Sequence, residues 1–274
     1  MTASPRSLSP YQARLRRAET LAAQSPFAAE VLKFYRQIAS CQADLYSELA
    51  RTSSESASAV DISSRGTPDL TQVLPHYRGF LSVAEKHGPS NLAAAATQIA
   101  ILSADSWIAL LESWWQTAGL SDQQIGAFPQ FFARVALQPL AEFAAAASAP
   151  PQILPRNTCP RCGSRPLLGV LRPEGDGGKR FLLCSFCSQE WEFRRILCPT
   201  CGEETEQKLP VYIAEQSPHM RVEACDTCKF YLRSVDLTKD GHAVPIVDDL
   251  AALPLTLWAA EHGYSRLQPN LLGT

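Results

Sequence analysis

The sequence contains no apolar run approaching the ~20 residues of a bilayer-crossing helix, so a helical membrane span is not expected. It has no His-Glu-x-x-His pair and no glycine loop ending in Gly-Lys-Ser/Thr, so metallopeptidase and nucleotide-phosphate chemistry lack their usual carriers. Positive charge is also scarce: the formal balance is −2 over 274 residues. Residues 151–235 hold 12 Lys/Arg against 10 Asp/Glu, and even this surplus turns negative once ionised cysteines and divalent cations are counted. That disfavours nucleic acid as a partner. Export is not indicated either. Arg16-Arg17 is followed by Ala18-Glu19-Thr20, where a signal needs an apolar stretch of about 7–15 residues. A reducing cytoplasm is the expected setting.

What the sequence does hold is cysteine in a fixed rhythm. Of 9 cysteines, eight form four pairs with the same two-residue gap: Cys159-Pro-Arg-Cys162, Cys184-Ser-Phe-Cys187, Cys198-Pro-Thr-Cys201 and Cys225-Asp-Thr-Cys228. The gap lets both thiolates of a tight turn face one ion, and two such turns complete a tetrahedron of sulfur. Eight thiolates therefore specify two metal ions. Disulfides within the pairs would close tiny loops and stabilise little, and secreted scaffolds rarely repeat one spacing four times.

The first and third pairs read Cys-Pro-x-Cys-Gly, where proline fixes φ and Gly163 or Gly202 tolerates a left-handed turn. The second and fourth pairs are plainer. This two-part repeat is met most simply by sequential pairing: Cys159, Cys162, Cys184 and Cys187 in one site, and Cys198, Cys201, Cys225 and Cys228 in the other. A cross-braced pairing satisfies the spacing as well. Tetrahedral sulfur accepts zinc and iron alike, so spacing leaves the metal open. Four thiolates close each site and leave no position for activated water, and no catalytic residue is assigned. With eight sulfurs available, His219, His242 and His262 are not needed as ligands; Cys41 reads as a small buried thiol. Arg161, Arg165, Arg180, Arg194 and Arg195 are expected to offset thiolate charge or to lie solvated.

Around this pattern the chain divides in two. Residues 1–150 read as an all-α bundle of five to seven helices. One starts at Ser25-Pro26 and runs to about Arg51, with Val31, Tyr35, Ile38, Leu45 and Leu49 along one side. Another starts at Thr67-Pro68-Asp69, with a kink or new helix expected at Pro75. The most apolar segment, Ile101 to Ala118, carries Trp107, Leu111 and Trp114; the next run is capped by Ser121-Asp122 and punctuated by Pro129 and Pro139.

Ala149-Pro150-Pro151 marks the boundary. Beyond it the period alternates, with strands expected at residues 179–183, 190–196, 211–214, 220–224 and 230–235. The Gly175-Asp176-Gly177-Gly178 cluster is the turn that enters the first of them. Residues 151–197 form a first four-cysteine ribbon; residues 198–274 form a second, followed by a helix from about Leu250 to His262 capped by Asp248-Asp249. Strands this short bury little apolar surface, so the ions are expected to serve as the cores. The fold class is α+β: a helical bundle, two tandem four-cysteine metal ribbons and a C-terminal helix.

The order Cys159-Pro-Arg-Cys162-Gly-Ser, Cys184-Ser-Phe-Cys187-x-x-Glu190-Trp191-x-x-x-Arg195-x-x-Cys198-x-x-Cys201, Cys225-Asp-Thr-Cys228, Asp248-Asp249-Leu250-Ala251 and Gly263-Tyr264-x-Arg266 resembles the FdhE family of formate dehydrogenase accessory proteins. The likeness covers residues 155–270; before it, the match is a helical domain of suitable length. The resemblance implies a cytoplasmic assembly factor that is not itself an enzyme and binds the catalytic subunit of a respiratory formate dehydrogenase before twin-arginine export. It also implies that all eight cysteines are ligands in rubredoxin-like sites, with iron favoured over zinc. The alternative function is a rubredoxin-like one-electron protein acting on a partner enzyme.

Overall fold

The computed structural model describes residues 9–52, 62, 66–118, 127–147, 157–175 and 177–273. Its N-terminal half contains six α-helices among the described residues: α1 (Pro10–Gln24), α2 (Ala29–Thr52), α3 (Val73–His87), α4 (Ser90–Ala100), α5 (Ala104–Thr117) and α6 (Ala127–Ala147). Ser9 caps α1, its hydroxyl accepting from the Tyr11 amide, and Pro10 occupies the first turn, where no amide hydrogen is needed. Tyr11, Arg14, Ala18 and Leu21 follow at helical spacing and form the buried face. The only charged member, Arg14, is accommodated because Glu142 of α6 meets it.

Two prolines lie within helices of this half. A new helix starts close to Pro75, as one of the two expected outcomes had it: α3 begins at Val73 rather than at Thr67, and the proline falls within its first turn, among amides that lack intrahelical acceptors. Pro139 lies inside α6, which runs through it. A proline there leaves the carbonyl four residues earlier without its donor. That carbonyl belongs to Val135, and the buried Gln42 amide of α2 donates to it at 2.9 Å. The apolar segment from Ile101 begins its helix later than expected: Ser103 caps α5 through the Ser106 amide, and Ile101 is left 83% exposed. The Ser121-Asp122 cap lies outside the described residues.

The C-terminal half is one seven-stranded sheet. Its strands are β1 (Pro166–Glu174), β2 (Gly177–Cys184), β3 (Glu190–Glu192), β4 (Val211–Ile213), β5 (Met220–Ala224), β6 (Phe230–Asp236) and β7 (Ser265–Arg266). The order is β3-β2-β1-β6-β5-β4, with β7 beside β6. Each cysteine unit supplies an antiparallel three-strand meander, and β1 joins the two by pairing parallel to β6, Gly169 opposite Ser234. A side chain at position 169 would run into the Ser234 hydroxyl, so glycine sets how closely these strands approach.

This sheet corrects the expectation that ions replace an apolar core. Leu168, Val170, Leu182, Trp191, Val222, Leu232 and Val235 are all buried and continuous with the helical core. The terminal helix is likewise two helices, α7 (Pro245–Ala251) and α8 (Leu253–Glu261). Asp248 and Asp249 are not caps in front of it. They lie within α7, fully buried, and Asp249 receives Arg233 of β6 at 2.7 Å, Arg266 of β7 at 2.8 Å and Asn270 at 3.0 Å.

Candidate metal centres

The fold gathers the eight cysteines into two groups of four, Cys159/Cys162/Cys184/Cys187 and Cys198/Cys201/Cys225/Cys228, the sulfurs of each within 4.8 Å of one another. Nearest sulfur pairs are Cys159–Cys187 at 3.6 Å, Cys162–Cys184 at 3.4 Å, Cys198–Cys228 at 3.7 Å and Cys201–Cys225 at 3.6 Å. A tetrahedron with metal–sulfur bonds of about 2.3 Å has edges near ~3.8 Å. Each group therefore has the dimensions to hold one tetrahedral ion. The grouping follows chain order rather than crossing between units.

All four pairs sit on one backbone device. The residue after the second cysteine adopts positive φ each time: Gly163 at 72°, Ser188 at 54°, Gly202 at 77° and Lys229 at 59°. The amide of each first cysteine then donates to the carbonyl five residues on, at Ser164, Gln189, Glu203 and Phe230. Amides inside the turns point at sulfur, as Phe186 and Cys187 do toward Cys184, and Thr200 toward Cys198, each at 3.4 Å. Sequence reading locates this turn at the two glycines only. Ser188 and Lys229 take the same conformation against their side-chain preference and carry local strain.

Other contacts hold those two residues. The Ser188 hydroxyl donates to Glu142 at 2.5 Å, and Glu142 also accepts from Gln138 at 2.9 Å and from both terminal nitrogens of Arg14. Lys229 pairs with Asp226 at 2.8 Å and lies over the Tyr264 ring, whose hydroxyl donates to the same aspartate at 2.8 Å.

The first centre is enclosed by the helical half. Phe186, between Cys184 and Cys187, packs edge-on against Trp114 and Trp115 of α5 with centroids 5.1 and 5.3 Å away. Ser164 donates to the Ala118 carbonyl at 2.9 Å, just past α5. From α6, Arg134 donates to the carbonyls of Ser185 at 3.0 Å and Asn270 at 2.8 Å. Burial, together with the neighbouring Arg266, holds that guanidinium down to about 10. All four cysteines here are buried.

The second centre is placed differently. Cys198 and Cys225 are buried, Cys228 is half-buried and Cys201 is exposed. Polar contacts around its turns are largely at the surface, such as Thr227 to Glu203 at 2.6 Å. A cavity of ≈ 360 Å³ adjoins it, lined by Cys198, Pro199, Thr200 and Cys225 together with Arg195 and Arg221.

Among the five arginines singled out in the sequence, Arg180 has a specific partner. Its side chain, 4% exposed, pairs at 2.7 Å with Glu223 of β5, linking the two cysteine units. Burial alone would raise Glu223, yet Arg180 and Arg221 hold it below the usual carboxylate range. Arg194 pairs with exposed Glu204, and Arg195 is exposed.

The thiols of the first centre show why a cation suits it. Hydrogen bonding with Cys159, Cys184 and Cys187 pulls Cys162 far below the ordinary thiol range, while burial pushes Cys184 well above it. Four thiolates cannot share a buried pocket unless a positive ion neutralises them. Cys41 lies apart, half-buried on α2. One polar group was not anticipated: His219, Asp240 and Asp248 converge, and Arg17 of α1 bridges both carboxylates, at 2.7 Å to Asp240 and 2.5 Å to Asp248. That guanidinium already offsets one of the two negative charges there.

Comparison with known proteins agrees with this architecture. Residues 158–195 match the family described as FdhE, central domain, and residues 196–272 match FdhE, C-terminal domain. The chain is 29% identical to an FdhE homolog of Aquifex aeolicus over 90% of this chain and 87% of that protein. It is 40% identical to an FdhE homolog of Pseudomonas aeruginosa, there over 43% of this chain and 40% of the relative. The crystal structure of the FdhE protein from Pseudomonas aeruginosa superposes with a TM-score of 0.76 at 26% identity, covering 96% of this chain and 95% of the other. With both matched domains and a shared fold over nearly its whole length, the chain is similar to the proteins of the FdhE family.

Proposed function

We propose that this protein is a non-catalytic, cytoplasmic assembly factor for formate dehydrogenase that recognises the enzyme's catalytic subunit before twin-arginine export. Likeness to the FdhE family supports the choice of client. One structural observation carries the reading: the helical half is locked onto a metal centre, through Phe186 between Trp114 and Trp115. Both centres consist of four cysteine sulfurs, and such closed sites serve as frameworks and offer substrates no open position.

In this reading Cys159, Cys162, Cys184 and Cys187 hold one ion, and Cys198, Cys201, Cys225 and Cys228 hold the other. The bound ion supplies charge neutralisation and a rigid crosslink between turns, with iron favoured by family likeness. Arg180, Glu223 and the buried Asp249 group then hold the two units and the terminal helices in fixed register. No helix among the described residues is long and apolar enough to cross a membrane.

The test is co-purification. Tagged protein, prepared without oxygen from cells expressing a formate dehydrogenase, should retain the catalytic subunit and about two ions per chain. Recovery of intact, metal-loaded protein without that subunit would reject the client assignment.

A second reading, one-electron exchange with a partner enzyme, is favoured by the exposure of Cys201. It requires iron, since zinc has no accessible redox step. Visible absorption that bleaches under reductant would support it, and a colourless, zinc-loaded native protein would remove it.

A further inference from the structure

We propose that the two centres have different lifetimes: the second is an exchange site that gains and loses its ion in the folded protein, whereas the first keeps its ion for the life of the fold. The inference rests on the reading that both cysteine groups hold ions, and it assigns them unequal roles.

Release of an ion from four thiolates is stepwise. An incoming soft donor bonds to the ion as one cysteine departs, and the departing thiolate takes up a proton from water. The first departure needs a cysteine that can swing into solvent and room for the competing donor beside it. At the first centre neither condition is met. Cys159, Cys162, Cys184 and Cys187 are at most 3% exposed. The Cys184–Cys187 turn is fastened from three directions, by Trp114 and Trp115 on Phe186, by Glu142 on Ser188, and by Arg134 on the Ser185 carbonyl, and the Cys159–Cys162 turn is tied to the end of α5 through Ser164 on the Ala118 carbonyl. Opening either of them means parting the helical half from the sheet.

At the second centre both conditions hold. Cys201 is exposed, Cys228 is half-buried, and Cys198 and Cys225 line the adjoining cavity of ≈ 360 Å³. The polar contacts that fasten these turns come from neighbouring loops and from Tyr264. Motion there is local and leaves the global fold intact. The incoming donor is of soft-sulfur type, because such a ligand competes best with thiolate for the ion. Departure starts at Cys201.

The test uses the full-length zinc-loaded protein with reduced glutathione as the competing thiol, and the chromogenic chelator 4-(2-pyridylazo)resorcinol reports the zinc released. Release should be biphasic, with one ion per chain in each phase and rates separated by roughly tenfold or more. The Cys201→Ser variant should lose the fast ion and keep the slow one. Alkylation with iodoacetamide after the fast phase, mapped by mass spectrometry, should mark Cys198, Cys201, Cys225 and Cys228 and spare the first set. A single release phase for both ions, or alkylation of Cys159, Cys162, Cys184 or Cys187 at the one-ion stage, would overturn the proposal. None of these readouts involves a formate dehydrogenase subunit. Failure to capture the client would therefore leave the exchange result standing, and a single phase would leave the client assignment untouched.

Discussion

The Ser188 hydroxyl donates to the Glu142 carboxylate at 2.5 Å, joining a left-handed turn of the first metal centre to a buried acid of α6 that Arg14 also holds. The bond has two separable consequences, strain tolerated at Ser188 and anchorage of the turn to the helices. Ser188→Gly removes the strain and the bond together, whereas Ser188→Ala removes only the bond. A hydrogen bond to a charged group contributes about 1.5–3 kcal/mol, and a left-handed non-glycine residue costs about 1–2 kcal/mol. Alanine should therefore destabilise more than glycine, by about 1 kcal/mol. Urea titration of both variants decides it, and an equal or reversed order would show that Ser188 is unstrained.

Gln42 compensates for Pro139 through the Val135 carbonyl. Gln42→Leu keeps the volume and leaves that buried carbonyl without its donor, at a cost of about 1–3 kcal/mol. In a Pro139→Ala background the alanine amide can take the same carbonyl, and the Gln42→Leu penalty should shrink. Additive losses in the double variant would mean that the two residues are not coupled.

Acid should weaken the Asp249 cluster in a defined window. Burial would raise this carboxyl, but Arg233, Arg266 and Asn270 hold it below its ordinary 3.8. A depressed folded-state value contributes stability that is fully present above the unfolded value and is lost as pH falls through the folded one. The stability difference between wild type and Asp249→Asn should be largest near pH 6 and narrow steadily below about pH 4. Chemical denaturation across that range measures it. A gap that stays constant down to about pH 3 would assign the loss to packing instead.

Removing the ion from the first centre should be visible in tryptophan fluorescence, because Phe186 contacts both Trp114 and Trp115. Cys162→Ser should shift the emission to the red as that contact loosens. Cys201→Ser, at the other centre, should leave it near the wild-type position. Equal shifts in both variants would show that the two centres open as one unit.

The cysteine groups were legible because a two-residue gap repeated four times is a local signal that needs no tertiary knowledge. Strands β2, β4, β5 and β6 were legible by alternation, with end points within a few residues. β1 was missed for a physical reason. Its Pro166–Leu171 stretch is buried throughout, so it has no alternating pattern to read. Without β1 the two units look like separate ribbons held by ions, and the apolar core they share cannot be inferred. Asp248 and Asp249 looked like helix caps because local chemistry favours that position, whereas their partners Arg17, Arg233 and Arg266 are distant in sequence. Ser188 and Lys229 gave no sign of left-handed backbone, since neither residue type announces it.

The parallel pairing of β1 with β6 sets an order on synthesis. While the ribosome is still translating the segment before Phe230, β1 has β2 on one side and no neighbour on the other. A nascent chain with its first four cysteines already in water thus presents a bare strand edge until β6, which follows the last cysteine pair, has emerged. Truncation before that point should yield insoluble product even with the first metal site intact in sequence.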